Sequence, residues 1–199
     1  HIDGCIHWLV GTKEHSSVNR LWKQVGALDG VEIYHPETFF AFEYQGITVP
    51  FYRDLDRLEE AWMEISPEDA EQIREFTKTI RTLHNFDIPA EKPMDLMGPV
   101  EKIKLMLSMK DAGMVMKQYG KTGLTEYAQR FTHPALSRAL SSMLPESYSA
   151  SSLFFALSAF SQGQASIPLG GSRAFAQRIT ARYLSLGGEL HTSCEAAEI

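Results

Sequence analysis

Two short runs rich in aromatic and β-branched residues constrain the fold more than anything else in the chain. They are Phe39-Phe40-Ala41-Phe42-Glu43-Tyr44 and Ile47-Thr48-Val49-Pro50-Phe51-Tyr52, separated by Gln45-Gly46. This pattern predicts a hairpin with Gly46 at positive φ in its turn. Pro50 cannot donate to a ladder, which places its strand at an edge or near a strand end. From Asp54 to about residue 187 the periodicity is helical, and residues 189–193 return to strand alternation. Strands first, helices through the middle and a strand at the end predict an α+β fold: a small mixed or antiparallel sheet with a largely helical layer.

The remaining elements follow from local chemistry. Residues 2–11 are a short apolar run flanked by glycines and predict a buried strand or extended segment. Ser16-Ser17 supplies an N-cap before Val18, Leu21, Trp22, Val25 and Leu28, which share one helical face fraying at Gly26 and Gly30. A short strand is expected over 31–34. Ser66-Pro67-Glu68-Asp69 is a helix start in which Ser66 caps, Pro67 occupies the first turn and two acids face the positive end of the dipole. Ile73, Phe76, Ile80 and Leu83 continue that helix until Asp87-Ile88-Pro89 breaks it. Further helices are predicted over 124–131, 134–143, 149–160 and 172–186, the last stopped by Gly187-Gly188. The 199 residues suit a single domain, with a sheet part over about 1–53 and 188–199 and a helical part over about 54–187. His1 opens directly into an apolar segment and Ile199 ends in the last strand pattern, so the chain is expected to be a piece of a longer protein.

Composition excludes several function classes. The net charge is −6 and no basic block exists to follow a phosphate backbone, so nucleic acid is not an expected partner. Cys5 and Cys194 have no metal-ligand or C-x-x-C spacing and read as reduced thiols of a cytoplasmic protein. No apolar run is long enough to cross a bilayer and no signal peptide is visible, although a peripheral membrane contact stays open. The seven histidines include no i, i+4 pair, and no nucleophile elbow or H-E-x-x-H occurs. Gly120-Lys121-Thr122-Gly123 lacks the preceding strand and the length of a P-loop and reads as a helix-to-helix turn. No G-x-G-x-x-G is present, so the chain carries no dinucleotide-binding fingerprint. Met94, Met97, Met106, Met109, Met114 and Met116 fit either ordinary core, which their spacing favours, or the wall of a channel for a long apolar substrate.

Two segments carry a family resemblance. Ile2-Asp3-Gly4-Cys5-Ile6-His7-Trp8-Leu9 resembles the D-x-G-x-H region of phytoene desaturase-like, FAD-dependent oxidoreductases of the amine-oxidase type. Ile167-Pro168-Leu169-Gly170-Gly171-Ser172, running on through Phe175, Ile179 and Tyr183 to Gly187-Gly188-Glu189-Leu190, resembles that family's P-x-G-G helix start and the strand that follows it. Residues 51–58 with Ser66-Pro67-Glu68-Asp69 look like the family's hairpin and next helices. The three occur in the family's order over nearly the whole chain. The family's G-x-G-x-x-G and its C-terminal flavin-contacting motif have no counterpart here.

The resemblance implies the substrate-side domain of a two-domain flavoenzyme, whose FAD-binding Rossmann domain is a missing part of the same polypeptide. It implies hydride removal from an apolar, isoprenoid- or carotenoid-like substrate onto FAD, giving a desaturated or isomerised product. Asp3, Gly4, His7, Gly170 and Gly171 become the expected cofactor contacts. Pro168, Met106 and Met109 become the expected substrate contacts, and no catalytic base is assigned. The piece alone is expected to be inactive and to hold FAD weakly. The rival is a non-catalytic apolar-ligand-binding or protein-interaction domain. On physical grounds alone, Gly170-Gly171 would let the chain approach a planar ligand or another backbone closely.

Overall fold

The computed structural model describes residues 8–194. It opens on strand β1, Leu9–Val10, and turns at Gly11, whose φ of 92° suits glycine. A Cβ there would lie 2.5 Å from Val18 Cγ1, so this turn has no room for a side chain. Helix α1, Ser17–Gln24, begins where the Ser16 hydroxyl accepts from Asn19 N, as the capping pattern requires. Strand β2, Ile33–Tyr34, follows.

The hairpin is β3, Thr38–Tyr44, and β4, Ile47–Tyr52, antiparallel with Tyr44 opposite Ile47. Gln45 and Gly46 both take positive φ, 49° and 81°, the type I′ geometry that matches strand twist. Helix α2, Leu55–Ile65, is capped by Asp54, which accepts from the backbone N–H of Asp56 and Arg57. A 3₁₀ turn over Pro67–Asp69 leads into α3, Ala70–Thr82. Then come α4, Pro99–Ser108; α5, Lys110–Tyr119; α6, Leu124–Ala128; α7, Pro134–Ser142; and α8, Ala150–Ser161. Strand β5, Ala165–Pro168, and helix α9, Gly171–Ser185, are the last elements among the described residues.

The fold is α+β, with two small antiparallel sheets and a helical layer. β5 is the centre of a three-stranded sheet ordered β1-β5-β2, with Leu9 opposite Ser166 and Ile33 opposite Pro168. The core lies between the hairpin and α2, α3, α5, α6, α7 and α8. Trp62 sits at its middle, fully buried, stacked on Phe76 at 5.0 Å and edge-on to Phe51 at 5.0 Å. Its indole N–H donates to Pro50 O at 2.7 Å, so the ring brings its polar atom a partner. Phe76 extends the aromatic chain to Phe154 on α8.

Four expectations fail. Ser66 holds the N-cap position of the 3₁₀ turn, but its side chain caps no backbone N–H; its hydroxyl donates to Asp69, and Asp69 turns inward to accept from Thr132 N and His133 N. The sequence predicts no element over 165–168, yet these residues form the central strand β5. Residues 189–194 form no strand and are exposed. Both sides of β5 are already taken by β1 and β2, and a strand without a neighbour leaves its backbone groups unpaired. Most of the Met-rich stretch is not core: Met94, Met106, Met109, Met114 and Met116 are exposed. From this stretch α5 contributes Ala112, Val115 and Tyr119 to the core, while α4 contributes none.

Candidate functional site

Two apolar cavities lie beside the β1–β5 pair. The larger, about 390 Å³, is lined by Trp8, Val10, Phe86, Ile88, Phe155 and Ala159, with Gln162 and Gln164 at its polar margin. That size falls in the usual range for small-molecule sites. The smaller, about 270 Å³, is lined by Trp8, Tyr34, Phe39, Phe160, Ser166 and Ile167 among others. Trp8 borders both, stacked on Phe39 at 4.5 Å and only 8° from parallel. Phe39 in turn meets Phe160 at 5.0 Å.

Local sequence explains why these side chains converge. Helix α8 is apolar nearly all round, so it has more apolar surface than the core can absorb. Leu153, Phe154 and Leu157 fill the core, while Phe155 and Ala159 face the larger cavity. The chain after α3 brings Phe86 against Phe155 at 5.4 Å. Asp87 pins that segment by accepting from Ser17 N at 2.8 Å and from the Gln164 amide at 3.4 Å.

A polar cluster backs the smaller cavity. Ser166 is fully buried on the central strand. Arg53 donates to its hydroxyl oxygen at 3.3 Å, and His35 Nδ1 lies 2.7 Å from the same atom. The Ser166 hydroxyl, accepting from Arg53, is placed to donate to Nδ1 of a neutral His35 ring protonated at Nε2. Burial and then the neighbouring Arg53 guanidinium hold the His35 pKa below its ordinary value, so the ring is neutral near pH 7. Arg53 stands over the Phe160 ring at 5.2 Å, and its Nε is buried with no partner among the described residues. The hydroxyl of Ser166 is buried and already accepts from a guanidinium, which disfavours a nucleophilic role. The cluster orders the cavity wall.

The expected site residues separate in space. Asp3, Gly4 and His7 lie outside the described residues, directly before Trp8. Gly170 and Gly171 take φ of 102° and 72° at the exposed start of α9, conformations that favour glycine. Pro168 is in β5 opposite Ile33; the smaller cavity is lined by its neighbour Ile167. Met106 on α4 and Met109 just after it are exposed and line neither cavity. Sequence reasoning passed over Trp8, Phe86, Ile88, Phe155 and Phe160. The apolar girth of α8 was the signal that could have found Phe155 and Phe160.

FAD can be tested against these residues. β5, Gly170-Gly171 and α9 form a strand, a glycine turn and a helix start that no side chain caps. Such a step offers amide donors and a surface free of Cβ, which fits one contact of a flat ring or a phosphate. It lacks the G-x-G-x-x-G spacing that holds a pyrophosphate, so the described residues fit one edge of the cofactor only. Among them no group of three or more His, Cys, Asp or Glu could hold a metal ion, and no helix is long and apolar enough to cross a membrane. Comparison with protein-family models, with curated proteins and with solved structures returns no significant match.

Proposed function

We propose that this chain is the substrate-side part of an FAD-dependent oxidoreductase acting on an apolar, isoprenoid- or carotenoid-like substrate. One observation carries the reading. The two segments that resemble the phytoene desaturase-like family meet in the wall of the smaller cavity, one through Trp8 and the other through Ile167. They are far apart in sequence, and the β1–β5 pairing of Leu9 with Ser166 sets them side by side. FAD, when bound by the intact protein, supplies the hydride acceptor.

The chain's own residues would do the rest. Trp8, Phe86, Ile88 and Phe155 exclude water and bury an apolar chain. Gly170 and Gly171 leave space for the cofactor's edge. Neutral His35, Ser166 and Arg53 hold the wall of the smaller cavity in place. The contribution of the missing FAD-binding domain belongs to this proposal, as does the expectation that the 199 residues alone turn nothing over.

The test is a visible absorption spectrum of the intact protein purified without added cofactor. Flavin bands that are released on denaturation support the reading. A colourless protein that also refuses added FAD sinks it. The second reading, a non-catalytic apolar-ligand binder, is favoured by the larger cavity itself, whose lining has no acid or base. Binding of an apolar polyene in that cavity by a flavin-free intact protein would support it.

A further inference from the structure

We propose that the polar cavity between α1 and the segment leading into β2 binds a small aliphatic amine. This cavity is about 360 Å³ and shares no lining residue with the two apolar cavities. Asn19 and Lys23, one helical turn apart on α1, line it together with Thr12 and Glu14 from the preceding loop and with residues between 28 and 33. Asn19 is only 3% exposed, and its side chain is half satisfied. Its amide nitrogen donates to Gly11 O at 2.9 Å, while Oδ1 is buried with no partner among the described residues. Exchanging the two amide atoms would set oxygen against the Gly11 oxygen, so Oδ1 is the atom that Asn19 has left for the cavity. A buried acceptor without a donor is costly, and a donating ligand recovers that cost.

The chemistry of the lining selects the ligand. Thr12 is buried and its hydroxyl already donates to Gly163 O at 2.8 Å, so toward the cavity it can only accept. Glu14 and Asp29 add two carboxylates against the single ammonium of Lys23, which itself stands 3.9 Å from Glu14. The polar wall is therefore rich in acceptors and net negative. Leu28, Val31 and Ile33 supply an apolar part, the last two brought to one side by strand alternation. A charged amine on a short alkyl stem matches both halves: the ammonium offers three donors to the oxygens, and the methylenes cover the aliphatic side chains. An anion finds no such match. The first amides of α1 are committed, Ser17 N to Asp87 and Asn19 N to the Ser16 hydroxyl. A divalent cation would meet two carboxylates only, and among the described residues no group of three or more such ligands exists.

The intact protein is titrated by calorimetry at low salt with putrescine, and in parallel with butanediol, which has the same chain but no charge. Putrescine is expected to bind at a single site and the diol at least about tenfold more weakly. Glu14→Gln with Asp29→Asn is expected to weaken putrescine about tenfold, at up to about fivefold for each exposed charge. Lys23→Gln removes the competing cation and is expected to strengthen it about threefold, a change of opposite sign that a merely structural role would not produce. Circular dichroism melts should leave these variants unchanged, because Glu14, Lys23 and Asp29 are all exposed. No binding of putrescine, a diol that binds as tightly, or an affinity that the double variant leaves unchanged overturns the proposal. Calcium that displaces putrescine and is itself lost in the double variant also overturns it, since the cavity would then be a metal site. No flavin or polyene enters the assay, so its failure leaves the proposed function standing.

Discussion

Asp69→Ala tests how the helical layer is tied together. Asp69 is fully buried between the turn after α2 and the segment before α7. Its Oδ2 accepts from the Ser66 hydroxyl at 2.7 Å and His133 N at 3.0 Å, and its Oδ1 accepts from Thr132 N at 2.8 Å. Burial alone opposes the charge, but these hydrogen bonds outweigh it and hold the pKa below the ordinary carboxylate value. Alanine strands two backbone donors and leaves a hydroxyl to find another acceptor. At about 1–3 kcal/mol for each stranded donor the loss is about 3–5 kcal/mol. For a domain of this length that lowers Tm by about 10 °C. Asp69→Asn retains one acceptor oxygen but sets an NH₂ against another donor, and should cost about 2 kcal/mol. Urea unfolding at pH 7 measures both. The folded pKa is depressed, so the carboxylate's stabilisation is whole above its unfolded value of about 4 and is lost as pH falls through the folded value. The gap between wild type and Asp69→Asn should therefore narrow between pH 7 and pH 3. An alanine variant within about 1 kcal/mol of wild type, or a gap that widens in acid, refutes the reasoning.

His35 is held neutral by burial and by Arg53, so its contribution is whole above its ordinary pKa of about 6.5 and is lost as pH falls below that toward the depressed folded value. Thermal melts from pH 7.5 to 5.5 should fall less steeply for His35→Asn than for wild type; equal slopes would remove His35 as the cause. Tyr119→Phe deletes a hydroxyl that donates to Glu75 at 2.8 Å, and should cost about 1 kcal/mol in chemical denaturation. Arg130 also donates to Glu75, so Tyr119→Phe combined with Arg130→Met should depart from additivity by at least about 0.5 kcal/mol. Ala156→Leu adds bulk to the wall of the larger cavity. Stability should change by less than about 1.5 kcal/mol, while fluorescence titration with an apolar polyene should show affinity reduced at least about tenfold.

What the sequence revealed and what it hid divide along a physical line. Features decided within a few residues were legible. Gln45-Gly46 imposed its turn, Ser16 capped α1, and Ile73, Phe76 and Ile80 went to the core as their spacing required. Features decided by distant partners were not. Asp69 reads as an acid favouring a helix dipole, yet its acceptors serve donors more than sixty residues away. β5 is only four residues long and carries no periodicity that distinguishes a strand from a loop. Met106 of α4 and its neighbours Met94 and Met109 read as core because apolar content alone does not say whether a helix finds a partner. In the candidate site the polar wall joins His35, Arg53 and Ser166, three residues with no shared motif.

The β1–β5 junction is where these two kinds of information meet. Two residues of β1 against β5 make too short a ladder to stand alone. A clasp of other bonds carries it: Gly11 N to Gln164 O at 2.7 Å, Thr12 Oγ1 to Gly163 O at 2.8 Å, and Trp22 Nε1 to Val10 O at 2.8 Å. Each of the first two closes a loop of about 150 residues, an entropic cost that grows only slowly with length but must be met by structure formed first. The helical layer can supply that structure, since its contacts are more local in sequence and α8 leads into β5. The cavities consequently depend on the Trp62–Phe76–Phe154 core even though none of those three rings lines them. A site assembled this way is specified by the whole chain, and its lining is better found from which apolar faces the core leaves unused than from any local motif.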